Sequence, residues 1–330
     1  MLRRTFLKSV PVAAAAPLAL GQALAPKRVF TVVGWPAGEP ASPNSRIMSL
    51  LIYEGKFFAL KYLSGPKSYF LATADNLGSS QSELPLPSSV YWGLAAREST
   101  GTLLTLRKET ARSPVSFLDE YTLKGKPIRR LTGGARASHA MCTTDDVFVQ
   151  IHKDASCEIR DLNTGAVSAY ANVCTGFRFF SVHRAGRKRV VVVDNANARL
   201  ASIDVSTGTS TQAPLSAPAV TASTAYYQKE LARFNPPPRA DGTRLVPGTP
   251  RIVFASATDS SGFLYCLISP VDPKGAHILK FDSLGRLVSM LTLMLPDRSS
   301  YRWKVPDGLL ISGSTVFLSY PDGVVASYSA

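Results

Sequence analysis

The chain consists mainly of short stretches in which apolar and polar residues alternate, and glycine, aspartate and proline interrupt these stretches at intervals. Alternation with a period of two is typical of β-strands that bury one face, and the period of an amphipathic helix is nearly absent. One unit recurs along the chain: a strand, an aspartate or similar polar residue, a short turn ending in glycine, and a second strand. This pattern predicts a protein built from antiparallel β-hairpins.

The recurring unit has a period near 40 residues. Its turn glycines, Gly125, Gly165, Gly208 and Gly285, are spaced by 40, 43 and 77 residues. Six prolines between positions 213 and 248 argue against a regular blade there, because proline interrupts the hydrogen bonding of a sheet. The wide gap is therefore interpreted as one period plus an insertion. About four strands in each period of about 40 residues predict a β-propeller.

The same pattern divides the chain into six blades. A propeller has to close on itself, since an open ring leaves a bare strand edge. The last blade lacks an outer strand, so we predict that Arg28 to Val33 supplies it. The predicted fold class is thus all-β: a six-bladed β-propeller of four-stranded antiparallel blades, closed by an N-terminal strand. The predicted blades are Arg46–Pro87, Tyr91–Gly134, His139–Val173, Phe177–Leu215, Arg251–Leu295 and a sixth from Arg302 to the C-terminal hairpin Thr315–Tyr328.

The stretch from Val190 to Asp204 resembles an NHL-type propeller repeat, in which a hydrophobic strand ends in aspartate and is followed by asparagine, arginine and a second strand. The matching positions are Asp194, Asn197, Arg199, Asp204 and Gly208. The other blades resemble the repeat only in hydrophobic pattern and turn glycine. The resemblance implies a six-bladed fold of the NHL and TolB-like kind. It implies little about activity, because such folds carry unrelated functions.

The N-terminus carries the features of an export signal. Paired arginines precede an alanine-rich apolar run, an order typical of a segment that is removed after export. We therefore expect a periplasmic or secreted protein, with a signal over residues 1–25 and the propeller over residues 26–330. The residues that resemble the twin-arginine signal are Arg3, Arg4, Phe6 and Leu7.

A retained membrane anchor is the alternative to a cleaved signal. The apolar run from Val10 to Ala25 reaches about 24 Å as a helix, which is less than the bilayer core of about 30 Å. Cleavage after Ala25 fits the small-x-small pattern, but Pro26 follows and hinders it. Cleavage after Gly21 is the other possibility that the sequence leaves open.

The chain is strongly basic. Its formal net charge is +14, and removal of Arg3, Arg4 and Lys8 leaves +11. Such a charge suits anionic surfaces or acidic partners, although a merely soluble surface is the alternative. We expect no nucleic-acid partner outside the cytoplasm. No second apolar stretch is long enough to span a membrane, and the protein is interpreted as a monomer.

The cysteines and histidines show no metal or redox spacing. None of the four cysteines lies in a Cys-x-x-Cys pair, so either one local disulfide or buried free thiols are expected. The histidines are interpreted as ordinary polar residues, with His152 in a solvated or edge position and His277 in a loop. The complete sets are Cys142, Cys157, Cys174, Cys266, His139, His152, His183 and His277.

No complete catalytic motif is present, and the sequence assigns no catalytic residue, metal ligand or cofactor. Glu39 is the only acid near the place where a lactonase of the gluconolactonase type would need a metal ligand, and it has no clear partners.

A cationic and aromatic set recurs where each blade begins. In a propeller, these positions lie near the axis on the ligand-facing side. Guanidinium groups there suit carboxylates or phosphates, although simple solvation is the alternative. The predicted ligand-binding residues are Arg46, Trp92, His139, Arg178, Arg251, Arg302 and Trp303.

The insertion at about 213–248 leaves from this same side. It predicts a short amphipathic helix with Ser223 as its N-cap and with Tyr227, Leu231 and Phe234 on one face. The insertion is either a lid or binding loop, or a simple packing element.

These observations favour an exported, non-catalytic propeller that binds a protein, a peptide or an anionic glycan on its arginine-bearing face. The alternative is a periplasmic hydrolase or lyase, lactonase-like or quinoprotein-like, that uses the central funnel.

Overall fold

The computed structural model describes residues 23–33, 45–75, 81–110, 113, 115–136, 138–152, 154–234, 250–299 and 301–329. The described residues form six four-stranded antiparallel sheets arranged as the blades of a β-propeller. After the N-terminal strand β1 (Arg28–Thr31), the first two blades contain β2 (Arg46–Tyr53), β3 (Lys56–Leu63), β4 (Ser68–Asp75), β5 (Gln81–Pro85), β6 (Val90–Arg97), β7 (Thr102–Lys108), β8 (Val115–Thr122) and β9 (Pro127–Arg136).

Blades three and four follow with the same order of strands. They contain β10 (Ser138–Thr144), β11 (Val147–His152), β12 (Cys157–Asp161), β13 (Val167–Tyr170), β14 (Phe180–Arg184), β15 (Arg189–Asp194), β16 (Arg199–Asp204) and β17 (Ser210–Pro214). A helix, α1 (Pro218–Arg233), precedes blade five. The last two blades contain β18 (Val253–Thr258), β19 (Leu264–Ile268), β20 (Gly275–Phe281), β21 (Leu287–Met294), β22 (Gly308–Ser312), β23 (Thr315–Ser319) and β24 (Val324–Ser329).

The ring closes as the sequence predicts. Strand β1 pairs antiparallel with β24 and becomes the outer strand of blade six, so the order in that sheet is β1-β24-β23-β22. The innermost strands of neighbouring blades contact one another, including β22 with β2 across the closure. Val32 and Val33 continue from β1 into the core, where they are buried. The prediction of an N-terminal closing strand is thereby confirmed.

Aspartate and glycine build the hairpin turns that set the repeat. In blade four, Asp204 Oδ1 accepts hydrogen bonds from the backbone N–H groups of Ser206 and Thr207 at 2.8 and 3.1 Å. These bonds lower the pKa of Asp204. Gly208 follows with φ of +70°, and a Cβ there would lie 2.1 Å from the Tyr170 ring. The spacing from Asp204 to Gly208 is therefore typical of a turn whose last position requires glycine.

The core lies between adjacent blades. Strand β15 is buried on both faces, since Val190 and Val192 pack toward blade three while Val191 and Val193 pack toward blade five. Successive side chains of a strand point to opposite faces, which is why this run is continuously apolar. Burial of each valine contributes about 1.5–3 kcal/mol relative to exposure.

All four cysteines are free and buried. Burial raises the pKa of the Cys157 and Cys174 thiols to about 12, and it also raises those of Cys142 and Cys266. Of the two alternatives that the sequence left open, the structure shows the buried thiols.

Two predictions about histidines are wrong. His152 is 3% exposed, because it lies at the end of β11, a strand that is enclosed between blades. His277 lies within β20 rather than in a loop. In both cases the neighbouring polar residues suggested a less regular position than the sheet gives them.

The helix in the insertion exists, but its predicted cap and face are wrong in part. It begins at Pro218, which suits the first helical position, and Ser223 lies in its second turn. Val220 and Ser223 are buried, and Ser223 donates a hydrogen bond to the Ser269 carbonyl of blade five, whereas Leu231 is 38% exposed. Residues 235–249 lie outside the described residues.

Within the described residues, no helix has the length and apolar character needed to cross a membrane.

Candidate functional site

The ring encloses a central cavity of about 550 Å³. Its described walls come mainly from the innermost strands of blades one, two, four, five and six and from the residues just before them, with contributions from Leu106, Asn195 and Ser319. The side chains of residues 132–141, which include that of His139 in blade three, lie outside the described residues.

Bulges at the start of the innermost strands place large side chains at the cavity. The pairing register shifts between Ile47 and Ser49 in β2, between Tyr91 and Gly93 in β6, and between Val253 and Ala255 in β18. A β-bulge inserts one residue and re-aims its side chain. The inserted residues Met48, Trp92 and Phe254 all line the cavity. His139 occupies the corresponding bulge of β10.

This repeated arrangement has a sequence signal that the alternation alone does not reveal. Each bulged residue is bulky, and a small residue follows it: Ser49, Gly93, Ala140 or Ala255. The small residue resumes the pairing with the second strand of its blade. The pattern could have identified Met48 and Phe254, which sequence reasoning missed.

Arg251 and Phe179 form one corner of the cavity. The guanidinium carbon of Arg251 lies 5.0 Å from the centroid of the Phe179 ring, and both residues line the cavity. The ring is 45% exposed, and Phe179 has a φ of +54°, which is uncommon for a residue other than glycine. An arginine stacked on an aromatic face is oriented while its N–H groups remain available to an anion.

Asn195 holds this corner together. Its backbone N–H donates to the Phe179 carbonyl at 3.2 Å, and its own carbonyl accepts from the Val253 N–H at 3.0 Å. Its side-chain Nδ2 donates to Ser181 Oγ at 2.8 Å. Asn195 therefore fixes the start of blade four against the start of blade five, which sets the distance between Phe179 and Arg251.

A carboxyl group lies among these cations. Asp307 lines the cavity, and its side chain is exposed to the solvent inside the cavity. The surrounding ring of blades nevertheless separates this carboxyl group from bulk water. Desolvation raises the pKa of Asp307 to about 7, against the opposing effects of its own backbone N–H and of the Arg46 and Arg251 charges. The nearby Asp322 charge adds to the rise. The charge at this end of the cavity consequently changes near neutral pH.

The structure separates the predicted ligand-binding residues into two groups. Trp92 and Arg251 line the cavity, and the exposed Arg46 lies close enough to influence Asp307. Arg46 itself is not among the lining residues, and neither are Arg178, Arg302 and Trp303. Arg178 is exposed and contributes its backbone N–H to Asp194 Oδ1 at 3.1 Å. Arg302 stacks on Trp303 at 5.0 Å from the ring centroid.

A histidine and a serine also meet at the cavity wall. His183 Nε2 lies 2.7 Å from Ser256 Oγ, across the boundary between blades four and five, and both residues line the cavity. Burial lowers the pKa of His183 to about 4, so its imidazole is neutral at pH 7. A neutral imidazole that faces a hydroxyl can accept its proton, which is the first requirement of an activated nucleophile.

The opposite face of the ring carries ion pairs between blades. Arg97 of blade two is 2% exposed and donates to Asp146 of blade three at 2.8–2.9 Å and to Asn163 at 2.6 Å. Arg184, the last residue of β14 in blade four, pairs with Glu98 and Asp145. These contacts join blades two, three and four.

Among the residues that the structure describes, no group of three or more histidine, cysteine, aspartate or glutamate side chains could hold a metal ion. Glu39, the acid considered from the sequence, lies outside the described residues, as do Arg3, Arg4, Phe6 and Leu7.

No protein-family model matches the chain. No curated protein matches it either. Among solved structures, it is similar to selenomethionine-substituted virginiamycin B lyase from Staphylococcus aureus, with a TM-score of 0.53 and 11% identity over 92% of this chain and 98% of that chain.

The structure of U3-55K is similar to the same degree, with a TM-score of 0.53 and 9% identity over 92% of this chain and 98% of its own. The WD40 β-propeller domain of Doa1 gives a TM-score of 0.48 and 9% identity over 87% of this chain and 93% of its own. At these identities the first two similarities show the fold alone, and they do not distinguish binding from catalysis. By its fold, therefore, the chain is a six-bladed β-propeller.

Proposed function

We propose that this protein is an exported, non-catalytic binding protein whose central cavity takes a small amphiphilic anion. The carboxylate or phosphate of the ligand meets Arg251 and Arg46, and its apolar part lies along Phe179, Phe254 and Trp92. The observation that carries the proposal is the Arg251 guanidinium stacked on the exposed Phe179 ring at an aromatic-lined cavity.

The state of Phe179 supports a ligand at this corner. An aromatic ring that is 45% exposed in a left-handed backbone conformation stabilises the folded protein little. Backbone strain of this kind costs about 1–3 kcal/mol and is concentrated at functional sites. A bound apolar group would cover the ring and recover part of the free energy of burial, at about 25 cal/mol for each Å² removed from water.

The size of the cavity selects the class of ligand. A volume of about 550 Å³ lies within the range of small-molecule sites, about 300–1,000 Å³, and is too small for a folded partner. The rings of Phe179, Phe254 and Trp92 favour a ligand with an apolar part, while most of the exposed cavity surface is polar and suits its polar groups. Of the partners predicted from the sequence, a short peptide with an acidic and an apolar side chain has the same combination of an anionic group and an apolar part. A small amphiphilic acid is the simplest ligand with that combination.

Calorimetric titration of the purified exported protein with octanoate, octanol and a uronic oligosaccharide tests the proposal. We expect octanoate to bind at least about tenfold more tightly than octanol, because each 1.4 kcal/mol of charge interaction is tenfold in affinity. Tighter binding of the oligosaccharide than of octanoate would contradict the proposal and would indicate a glycan as the ligand.

Matched arginine variants test the site itself. Arg251→Ala and Arg46→Ala should each weaken octanoate binding about tenfold or more. Arg178→Ala removes the same charge from a side chain that does not line the cavity and that, unlike Arg46, is not among the charges acting on the cavity residue Asp307, so it should leave the affinity unchanged. Equal losses in all three variants would show only a general effect of net charge and would contradict the proposal.

A second candidate, hydrolysis, is favoured by the contact between His183 and Ser256. In that function His183 would accept the Ser256 proton as Oγ attacks an acyl carbon, and would return it to the leaving alcohol or amine as the acyl bond breaks. Water would then release the acyl group from Ser256. Labelling with a fluorophosphonate probe tests this candidate, with Ser256→Ala as the negative control and Ser49→Ala as a matched variant of another cavity serine. Labelling that survives Ser49→Ala and disappears in Ser256→Ala would support hydrolysis, and no labelling of the unaltered protein would exclude this serine as the nucleophile.

A further inference from the structure

The residues just before β1 are part of the propeller. The Leu24 N–H donates to the Thr292 carbonyl at 2.8 Å, and the Leu24 carbonyl accepts from the Met294 N–H at 2.8 Å. Leu24 and Leu293 form a parallel bridge, so this segment lies along the outer edge of β21 in blade five. Three residues later, the Lys27 N–H donates to Ser327 of blade six at 2.8 Å.

The segment from Ala23 to Thr31 therefore crosses from blade five to blade six, and we call it the strap. The Leu24 side chain is half-buried and packs on the apolar cluster between these two blades, which includes Leu293 and Tyr328. Removal of Leu24 would leave the Thr292 carbonyl and the Met294 N–H as bare edge groups of β21.

The strap bears on the two cleavage positions that the sequence leaves open. The peptide bond between Ala25 and Pro26 lies one residue after the paired Leu24 and one residue before the paired Lys27. A protease binds its substrate as an extended, unpaired segment, so the folded strap protects this bond. The bond after Gly21 precedes every strap residue.

We infer that the exported protein keeps Leu24, and that its leader is removed at the junction between Gly21 and Gln22 rather than after Ala25. This inference depends on the strap and on the export signal expected from the sequence. It does not depend on a ligand in the cavity, so the two proposals fail separately.

N-terminal sequencing and intact-mass measurement of the protein recovered from the exported fraction test the inference. The expected first residue is Gln22. A first residue of Pro26, or an exported protein that keeps its whole leader, would overturn it.

Two aspartate substitutions serve as a matched pair, because a charged side chain next to the cleaved bond blocks cleavage of a small-x-small site. Gly21→Asp should stop processing, and the precursor should accumulate. Ala25→Asp should leave both the rate and the first residue unchanged, since Ala25 is exposed and its side chain is not needed by the fold. Loss of processing in Ala25→Asp with normal processing in Gly21→Asp would refute the inference even if the first residue were obscured by trimming.

Discussion

The Arg251 guanidinium lies 5.0 Å from the centre of the Phe179 ring, and each of these residues comes just before the innermost strand of its blade. Blades four and five are neighbours in the ring, so these two residues meet although the whole of blade four and the insertion with its helix separate them in the chain. The contact joins a cation to an exposed aromatic surface at the cavity. It is the basis of the proposed binding of an amphiphilic anion.

Substitution of Phe179 should separate binding from stability. In Phe179→Gly the left-handed conformation, with φ of +54°, becomes unstrained, which offsets the entropic cost of glycine and the lost cation–π contact. We expect the free energy of unfolding to change by less than about 1 kcal/mol, while octanoate affinity falls about tenfold. Urea denaturation and calorimetric titration measure the two quantities.

Glu54→Gly is the control for this variant. Glu54 has a φ of +49° and is exposed in the turn between β2 and β3. The same relief of backbone strain there should leave octanoate affinity unchanged. A reduction of affinity equal to that of Phe179→Gly would show that the cavity is not the site.

Ligand affinity should fall as the pH rises through 7. The pKa of Asp307 is about 7, so its carboxyl is neutral below that pH and anionic above it. The ionised carboxylate competes with a bound anion for Arg46 and Arg251. Octanoate is almost entirely ionised from pH 6.5 to 8, and titrations over this range should show an affinity that decreases about threefold or more. Asp307→Asn should remove the dependence, and a dependence that persists in it would assign the titration to another group.

The raised pKa of Asp307 also predicts how the stability of Asp307→Asn, relative to that of the unaltered protein, changes with pH. The folded-state pKa of Asp307 is raised, so between about pH 4 and 7 the folded protein holds a proton that the unfolded chain has lost. Stability from this group is therefore lost as the pH rises to 7. His183, with a lowered pKa of about 4, acts in the opposite direction below about pH 6.5. The stability of Asp307→Asn relative to the unaltered protein should consequently increase from pH 5 to 8, because this difference cancels the His183 contribution.

The buried Arg97, which pairs with Asp146 of blade three and Glu120 of its own blade, should stabilise the ring far more than an exposed arginine does. Arg97→Ala leaves Asp146 without its guanidinium partner and Glu120 with one cation fewer, and we expect a loss of about 3 kcal/mol in urea denaturation. Arg286→Ala removes an exposed pair with Asp282 and should cost less than about 0.5 kcal/mol. Similar losses in the two variants would show that the Arg97 contacts do not hold the blades together.

Two turn glycines provide a test of close packing. Gly165 and Gly208 have φ of +74° and +70°, but only at Gly208 would a Cβ approach another residue, at 2.1 Å from the Tyr170 ring. Gly165→Ala should cost about 1–2 kcal/mol from the left-handed backbone alone. Gly208→Ala should cost at least about 1 kcal/mol more, because Tyr170 has to move. Equal urea midpoints for the two variants would show that the Tyr170 side chain moves aside without a cost in stability.

The sequence alone determined the sheets, their number and the closure of the ring. Alternation fixes which residues face a neighbouring blade, and the aspartate and glycine of each turn fix where a hairpin reverses, as Asp204 and Gly208 show. Both signals are local, so they are readable along the chain. The pairing of Arg28–Thr31 with the last strand followed from the need to remove a bare edge.

Which side chains line the cavity depended on the tertiary structure. Trp92 and Arg251 were expected at the cavity from their place where blades begin, and both line it, whereas Phe179 lines it in place of the adjacent Arg178. The reason is geometric: a bulge or a left-handed residue at the start of a blade shifts the side-chain direction by one position, and alternation carries no record of that shift. Only the closed ring brings Asp307 to Arg46 and Arg251, since these three residues begin different blades.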